Sequence, residues 1–317
     1  MIRPTLALNF ARTGQLDRRI TFGRSSAATE MDYAGVLRSL GIGKPRFDHD
    51  ASGNCLGLLI EPQSTNQAEY SRIGDGTGWN VARATAAAAT SITAPDGSND
   101  AALLSDSASA PGSSFLYQSV FRATGDNCAS IYVKRDPTAT SSVASVTVTD
   151  SSVYFDLDTG TVTSSNDGGA IDAGNGWYRL YVTWVETEGY TGNVLFIKIT
   201  GTTADLDTNR FYIWGAQLEA GTAPTSYIPT AAATATRAAD SAILTGAGFD
   251  SWIHTEGTLL AKYKDAGWLY NDTPPTDSID LTKYIDDYST SAAGERIERL
   301  LFYPRTLTAA QRGKIML

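Results

Sequence analysis

Short apolar segments separated by polar, glycine-containing turns constrain the fold of this chain more than any other feature. They recur at near-regular intervals from about residue 79 to residue 230 and are rich in the β-branched and aromatic residues that favour strands. The segments are Ala101–Leu104, Phe115–Phe121, Cys128–Lys134, Val143–Thr149, Val153–Leu157, Tyr178–Trp184, Val194–Ile199 and Phe211–Trp214. Strands at this spacing predict two packed antiparallel sheets around one core. The predicted fold class is therefore all-β, an antiparallel β-sandwich of the jelly-roll type.

Turn residues lie between several of these segments and after the last one. Asp158–Gly160, Asn166–Gly169 and Gly174–Gly176 place Asn, Asp or Gly where a turn needs a positive φ. The last segment is followed by Gly221, Pro224 and Pro229, which strand interiors reject. We therefore predict that this strand leaves the sheet and continues into a strap of small residues at 231–240.

Composition excludes two classes of partner. The formal net charge of −9 argues against nucleic acid, because phosphate binding depends on Lys and Arg. No run of 18 apolar residues is present, so no membrane insertion is expected, and the N-terminus lacks the apolar core of a signal peptide. Neither Cys55 nor Cys128 has metal-binding spacing, so no metal or other cofactor is predicted.

Several motifs resemble those of phage virion proteins, such as tail fibres and spikes, that carry a carbohydrate-binding-type jelly roll. The matching stretches are Leu16–Thr29, Pro45–Asp50, Gly57–Asn66, Tyr154–Val162, Gly174–Arg179, Gly215–Glu219, Pro224–Thr230 and Thr236–Asp240. The chain departs from the pattern at Arg18, where these proteins usually have proline. The resemblance covers about residues 1–245 and implies a carbohydrate-binding-module-like or concanavalin A-like fold.

The C-terminal part resembles a second, shortened concanavalin A-like unit. Gly248–Ile253 and Glu256–Tyr263 are similar to its opening, and Glu298–Arg312 is similar to its closing strand and helix. The residues between these ends are far fewer than the roughly 100 that a full sandwich needs. Unpaired strand edges would then need covering by the first domain or by a neighbouring subunit. We predict an extended leader at 1–72, a jelly roll at 73–232, a strap with a truncated β unit at 233–317, and a homo-oligomer, with a trimer favoured.

Aromatic residues supply the candidates for sugar binding, because a flat ring can stack on the apolar side of a pyranose. The pool is Trp79, Trp177, Tyr178, Tyr181, Trp184, Tyr190, Trp214 and Tyr227. Trp177 and Trp184 are seven residues apart and face opposite sides of a straight strand, so at least one is expected in the core. Tyr190, in the predicted turn Gly189–Gly192, is the candidate with the best exposure. We predict a tentative glycan site that includes Tyr190, Trp177 and Trp184.

Two carboxylates, Asp156 and Asp158, share one strand face and join this candidate site as acceptors for sugar hydroxyls. They could alternatively be a catalytic pair, as could Glu186 and Glu188, since glycoside hydrolysis needs two carboxylates. A structural calcium ion is a further alternative, although no complete calcium loop is present. Strand carboxylates before a turn are usually solvated, so no catalytic residues are predicted.

These features favour a virion structural protein, located on a particle assembled in the host cytoplasm. Its expected partners are other virion proteins, further copies of itself and a glycan on the host surface. The leader is the candidate for attachment to the particle. Two alternatives remain open: a purely architectural decoration or tail-assembly protein that binds no sugar, and a polysaccharide depolymerase. We expect no enzyme activity.

Overall fold

Antiparallel strands make up most of the computed structural model, which confirms the predicted all-β class. The structure describes residues 3–74, 76–106, 114–139, 142–148, 151–165, 167–193, 196–199, 210–245, 257–264, 266–272, 278–282 and 295–316. In that part of the chain, no helix has the length and apolarity needed to cross a bilayer.

The regular elements follow one another along the chain with short connections. The strands are β1 (Leu6–Asn9), β2 (Ile20–Gly23), β3 (Ala28–Met31), β4 (Leu37–Leu40), β5 (Arg46–His49), β6 (Cys55–Ile60), β7 (Ser64–Asn66), β8 (Asn80–Ala82), β9 (Ala84–Ala88), β10 (Ala102–Asp106), β11 (Ser114–Tyr117), β12 (Ser119–Arg122), β13 (Gly125–Arg135), β14 (Val143–Val148), β15 (Ser151–Asp156), β16 (Thr161–Ser165), β17 (Gly168–Asp172), β18 (Trp177–Glu186), β19 (Tyr190–Asn193), β20 (Phe196–Ile199), β21 (Arg210–Ala220), β22 (Ala235–Arg237), β23 (Ser241–Thr245), β24 (Thr258–Tyr263), β25 (Gly267–Asn271), β26 (Ser278–Asp280) and β27 (Glu295–Tyr303). Two helices, α1 (Phe10–Thr13) and α2 (Ala309–Met316), accompany them.

The chain divides into two compact units that are interleaved in sequence. Unit 1 contains Met1–Tyr33, Ser39–Gln63 and Ala238–Leu317, and unit 2 contains Ala34–Arg38 and Ser64–Arg237. The predicted leader and the predicted C-terminal part therefore lie largely in the same unit. Within unit 2, β7 pairs with β22, which brings Ser64 and Arg237 side by side where the chain enters and leaves.

Unit 2 is a sandwich of two six-stranded antiparallel sheets. Sheet 1 has the order β17-β18-β13-β21-β10-β9, and sheet 2 has the order β16-β15-β14-β20-β11-β8. Alternate residues of each strand face the shared core, as the period of two requires. The core includes Ile131, Val133, Val146, Phe155, Leu180, Val182, Ile213 and Leu218.

The eight predicted segments all contain strand, and the structure adds β8, β9, β16 and β17 to the sandwich. The segment Phe115–Phe121 is divided between β11 and β12, and residues 194–195 of another segment lie outside the described residues. The predicted turn Asn166–Gly169 is partly wrong, because Gly168 and Gly169 begin β17 and pair with Val182 and Tyr181.

Unit 1 contains a six-stranded sheet, sheet 3, that mixes the two ends of the chain. Its order is β25-β24-β27-β6-β5, and β1 also pairs with β27. Strands β1 and β6 from the predicted leader thus flank β27 from the predicted truncated unit, so β27 needs no neighbouring subunit to cover it. A three-stranded sheet, β2-β23-β26, packs its residues Ile20, Leu244 and Ile279 into the same core.

A buried cluster of ion pairs in unit 1 involves residues of the resemblance motifs. The side chains of Arg24, Arg46 and Asp240 are 0% exposed and that of Glu61 is 1% exposed. Asp240 Oδ1 accepts from Arg24 Nη1 at 3.0 Å, and its Oδ2 accepts from Arg46 Nη2. Arg46 Nη1 lies 2.6 Å from Glu61 Oε2. The cluster therefore links three sequence segments of the leader to the strap.

Candidate functional site

The outer face of sheet 1, the face turned away from the sandwich core, holds most of the aromatic residues of unit 2. On β18 the residues Leu180, Val182 and Trp184 point into the core. Their neighbours occupy the outer face because side chains alternate along a strand. On this face of β18 lie Trp177, Arg179, Tyr181, Thr183 and Val185.

One end of this face is covered by the chain segment at residues 93–100. The indole nitrogen of Trp177 donates to the carbonyl oxygen of Thr93 at 3.0 Å, and that of Trp214 donates to Asp100 Oδ1 at 2.8 Å. Arg72 holds this segment through Asp100 at 2.7 Å and Asp96 at 3.0 Å. Both tryptophans are consequently buried and hydrogen-bonded.

The middle of the face is covered by the segment that follows β21. Arg179 Nη1 donates to the carbonyl oxygen of Thr225 at 2.6 Å. The Tyr227 ring packs against Trp214, with centroids 4.6 Å apart, and its hydroxyl lies 2.7 Å from Ser71 Oγ. Burial raises the pKa of Tyr227 above its ordinary value. Residues 221–230, here called the cover segment, are therefore part of the folded unit.

A buried carboxylate holds the cover segment on the sheet. Glu219 is fully buried, and its oxygens accept from Ser64 Oγ at 2.6 Å, Gln217 Nε2 at 2.6 Å, Thr225 N at 2.9 Å and Thr225 Oγ1 at 2.6 Å. Hydrogen bonds to a charged acceptor are stronger than those between neutral groups. The motif residues at 215–219 and 224–230 are thus explained by attachment of the cover segment.

The remaining part of the face is open and centres on Tyr181. Its ring is half-buried, and a β-carbon placed on Gly169 would lie only 2.8 Å from the Tyr181 hydroxyl oxygen and 3.0 Å from Cε1. The ring therefore lies against β17 in space that only glycine leaves free. Val185 is 67% exposed and Ile171 is 47% exposed nearby on the same face. We call Gly169, Ile171, Tyr181, Thr183 and Val185 the open patch.

Two aromatic residues of the predicted glycan site are not available to a ligand. Trp177 is 1% exposed beneath the segment at 93–100, and Trp184 is 9% exposed in the core of the sandwich. Neither indole has a free face on which a sugar ring could stack, so neither belongs to the candidate surface. Tyr190 begins β19 and pairs with Arg122 rather than lying in a turn. The prediction for the Tyr190 side chain lies outside what the structure describes.

The two predicted carboxylates have local structural partners. Asp156 Oδ1 accepts from the backbone N–H of Asp158 at 2.9 Å, which closes the turn before Gly160. This hydrogen bond, with others from Ser142 and Thr159, lowers the pKa of Asp156. Asp158 pairs with Arg135 Nε at 2.6 Å. This arrangement stabilises a hairpin and offers no carboxylic acid with a raised pKa, which glycoside hydrolysis commonly requires.

No cluster of metal ligands was found in the described part of the chain, that is, no group of three or more His, Cys, Asp or Glu side chains suited to an ion. In Asp48–His49–Asp50 each side chain has its own partners. Asp48 accepts from Arg296, His49 Nδ1 lies 3.0 Å from the carbonyl oxygen of Met31, and Asp50 accepts from Ser52 and Asn54.

Comparison with known proteins gave structural neighbours only. No family model and no curated protein sequence matches the chain. The enzymatically active domain of bacteriophage CBA120 tailspike protein 4 aligns with a TM-score of 0.30 and 12% identity over 48% of this chain, which spans only 21% of that domain. The CBM22-1 xylan-binding domain of Xyn10C from Paenibacillus barcinonensis aligns with a TM-score of 0.30 and 13% identity, over 50% of this chain and 92% of that domain. The tandem CBM22-1–CBM22-2 domain of the same protein gives 0.31 and 11%, over 76% and 90%. The fold assignment rests on the strand pairing described above.

Proposed function

We propose that this chain is a non-catalytic carbohydrate-binding protein of a phage particle, and that its open patch contacts a host-surface glycan. The observation that carries the proposal is the Tyr181 ring, which lies over Gly169 on a sheet face that is otherwise covered. Stacking of a sugar ring on an aromatic face requires such a partly exposed, preoriented ring. The sequence resemblance to virion proteins supports the phage assignment.

The proposed mechanism is reversible adhesion without bond cleavage. The Tyr181 ring would supply the apolar contact, and the hydroxyl groups of Tyr181 and Thr183 would supply hydrogen bonds to sugar hydroxyls. Burial raises the pKa of the Tyr181 hydroxyl, so it remains a neutral donor at physiological pH. A single shallow site of this kind binds weakly, and repeated copies on a particle would raise the overall affinity.

Tyr181→Ala is expected to weaken glycan binding about tenfold. An aromatic contact contributes roughly 0.5–1.5 kcal/mol beyond the area it buries, and about 1.4 kcal/mol corresponds to a factor of ten. The measurement is a glycan array with the purified protein, followed by titration calorimetry on the best-bound glycan.

Tyr154→Ala is the matched control, because Tyr154 is also a partly buried strand tyrosine but lies on the outer face of sheet 2. Binding that drops equally in both variants would contradict a site at Tyr181. An array on which nothing binds would contradict carbohydrate binding altogether and favour the architectural function. Release of reducing ends from a bound polysaccharide would instead favour the depolymerase.

A further inference from the structure

Two carboxylates flank the open patch. Asp126, on β13, lies opposite Val185 in the strand register, and Asp167 lies just before β17, where its carbonyl oxygen accepts from Thr183 N at 2.8 Å. Both residues are exposed. They therefore lie on either side of β18, about two strand spacings or roughly 10 Å apart. Among the described residues, neither carboxylate forms an ion pair or hydrogen bond through its side chain.

The cations on the same face are already engaged. The guanidinium of Arg179 is buried, with Nη1 on the carbonyl oxygen of Thr225 and Nη2 on Ser130 Oγ at 2.9 Å. The carboxylate of Glu219 lies nearby and is equally buried, so these two charges offset each other. Lys134 lies opposite Trp177, four residues from Tyr181 along β18, and donates to the carbonyl oxygen of Asn175 at 2.8 Å. The accessible charge around the patch is therefore negative.

We propose that the open patch selects neutral glycans and rejects chains that carry a sulfate or carboxylate on the contacted sugar. This inference rests on the proposed function of the patch and specifies its ligand class. A sugar ring stacked on Tyr181 would place its substituents within about 6 Å of Asp126 or Asp167, which is shorter than the Debye length of about 10 Å at 0.1 M salt. Two such repulsions in water correspond to a loss of roughly tenfold in affinity at low salt.

The test compares galactose-terminated chains on one array with the same chains carrying a terminal sulfate or a terminal sialic acid. At about 20 mM salt we expect the neutral chains to bind roughly tenfold more strongly than their anionic counterparts. The difference should shrink severalfold at about 500 mM salt, because exposed charges are screened. The double variant Asp126→Asn/Asp167→Asn should bind the neutral chains as before and lose most of the discrimination.

Asp172→Asn provides the matched control, since Asp172 is an exposed carboxylate at the end of β17 that alternates to the opposite side from Gly169. It should leave the discrimination unchanged, and melting curves of all variants check folding. Equal or stronger binding of the anionic chains by the wild type would overturn the inference while leaving carbohydrate binding intact. Discrimination that persists in the double variant would overturn the role of the two carboxylates. Absence of binding to every chain would refute both the inference and the proposed function.

Discussion

Asp240→Ala is expected to destabilise unit 1 by about 3–5 kcal/mol, the usual cost of removing one partner from a buried ion pair. Asp240 is the only carboxylate in the described cluster that contacts both Arg24 and Arg46, and its Oδ2 also accepts from Glu61 N at 2.9 Å. Without it, Arg24 keeps only carbonyl partners from the contacts described, and Arg46 keeps Glu61 and Thr29. Two guanidinium groups would then share one carboxylate in a water-free site.

Titration of the arginines does not offer the protein an escape from this cost. Burial disfavours the charged guanidinium of Arg46, but the carboxylates of Glu61 and Asp240 outweigh that effect and raise its pKa above the ordinary value. The stability from this shift is present at every pH below the ordinary arginine pKa and is lost only as pH rises above it. The predicted loss in Asp240→Ala should therefore be the same at pH 6 and pH 8.

Hydrogen exchange under native conditions, read by mass spectrometry, is the suitable measurement because it reports unit 1 and unit 2 separately. Peptides from β6, β24 and β27 should exchange faster, while peptides from β13 and β18 stay protected. Asp17→Ala is the control, since Asp17 and Arg19 form a pair whose side chains are 25% and 32% exposed. That change should cost less than about 1 kcal/mol. A cost for Asp240→Ala as small as that of Asp17→Ala would contradict the interpretation of the cluster.

The strands that sequence reasoning found and missed differ in composition. Segments such as Val143–Thr149 alternate β-branched residues with polar ones, and this pattern is sufficient to predict a strand. By contrast, β9 consists of alanine and threonine, and β17 begins with Gly168 and Gly169. Alanine and glycine are depleted in strands, so only pairing with β10 and β18 makes these segments strands. Their structure depends on tertiary contacts that local sequence does not encode.

The candidate site was only partly predictable for a related reason. Alternation along β18 places Trp177 and Tyr181 on the same face, so either could have been the exposed residue. The difference arises because the segment at 93–100 covers Trp177, whereas Gly169 leaves room for the Tyr181 ring. A glycine pair directly before an Ile-Asp strand end, read as an edge strand rather than a turn, would have been the available signal.

The motifs that carried the resemblance are explained by structure rather than by ligand binding. Arg24, Arg46 and Asp240 meet inside unit 1, whereas Asn66 and Glu219 fasten segments of unit 2. Asn66 satisfies its whole amide, with Nδ2 donating to the carbonyls of Ala216 and Ile228 and Oδ1 accepting from Ala68 N and Leu218 N. Such motifs identify an architecture, and the ligand-contacting residues must be sought in the open patch, outside them.

Glu219→Ala is expected to destabilise unit 2 by about 3 kcal/mol or more. The change removes the acceptor of four hydrogen bonds and leaves buried donors on Ser64, Gln217 and Thr225 without it. Each unsatisfied buried donor costs roughly 1–3 kcal/mol, reduced where the side chain can turn to another acceptor. Thr225 N is fixed in the backbone and has no such freedom, so the cover segment should loosen first.

Glu219→Gln and Glu188→Ala complete the experiment. The amide of glutamine keeps one acceptor oxygen but turns an NH₂ toward donors, so its cost should lie between those of alanine and wild type. Glu188 is exposed after β18 and should tolerate alanine within about 0.5 kcal/mol. Hydrogen exchange in residues 221–230 should rise in the order Glu188→Ala, Glu219→Gln, Glu219→Ala. Because Arg179 donates to Thr225 in that segment, a loosened cover also removes an acceptor from the buried cation beside Tyr181. An unchanged exchange rate at 221–230 in Glu219→Ala would therefore contradict the view that this carboxylate holds the cover on sheet 1.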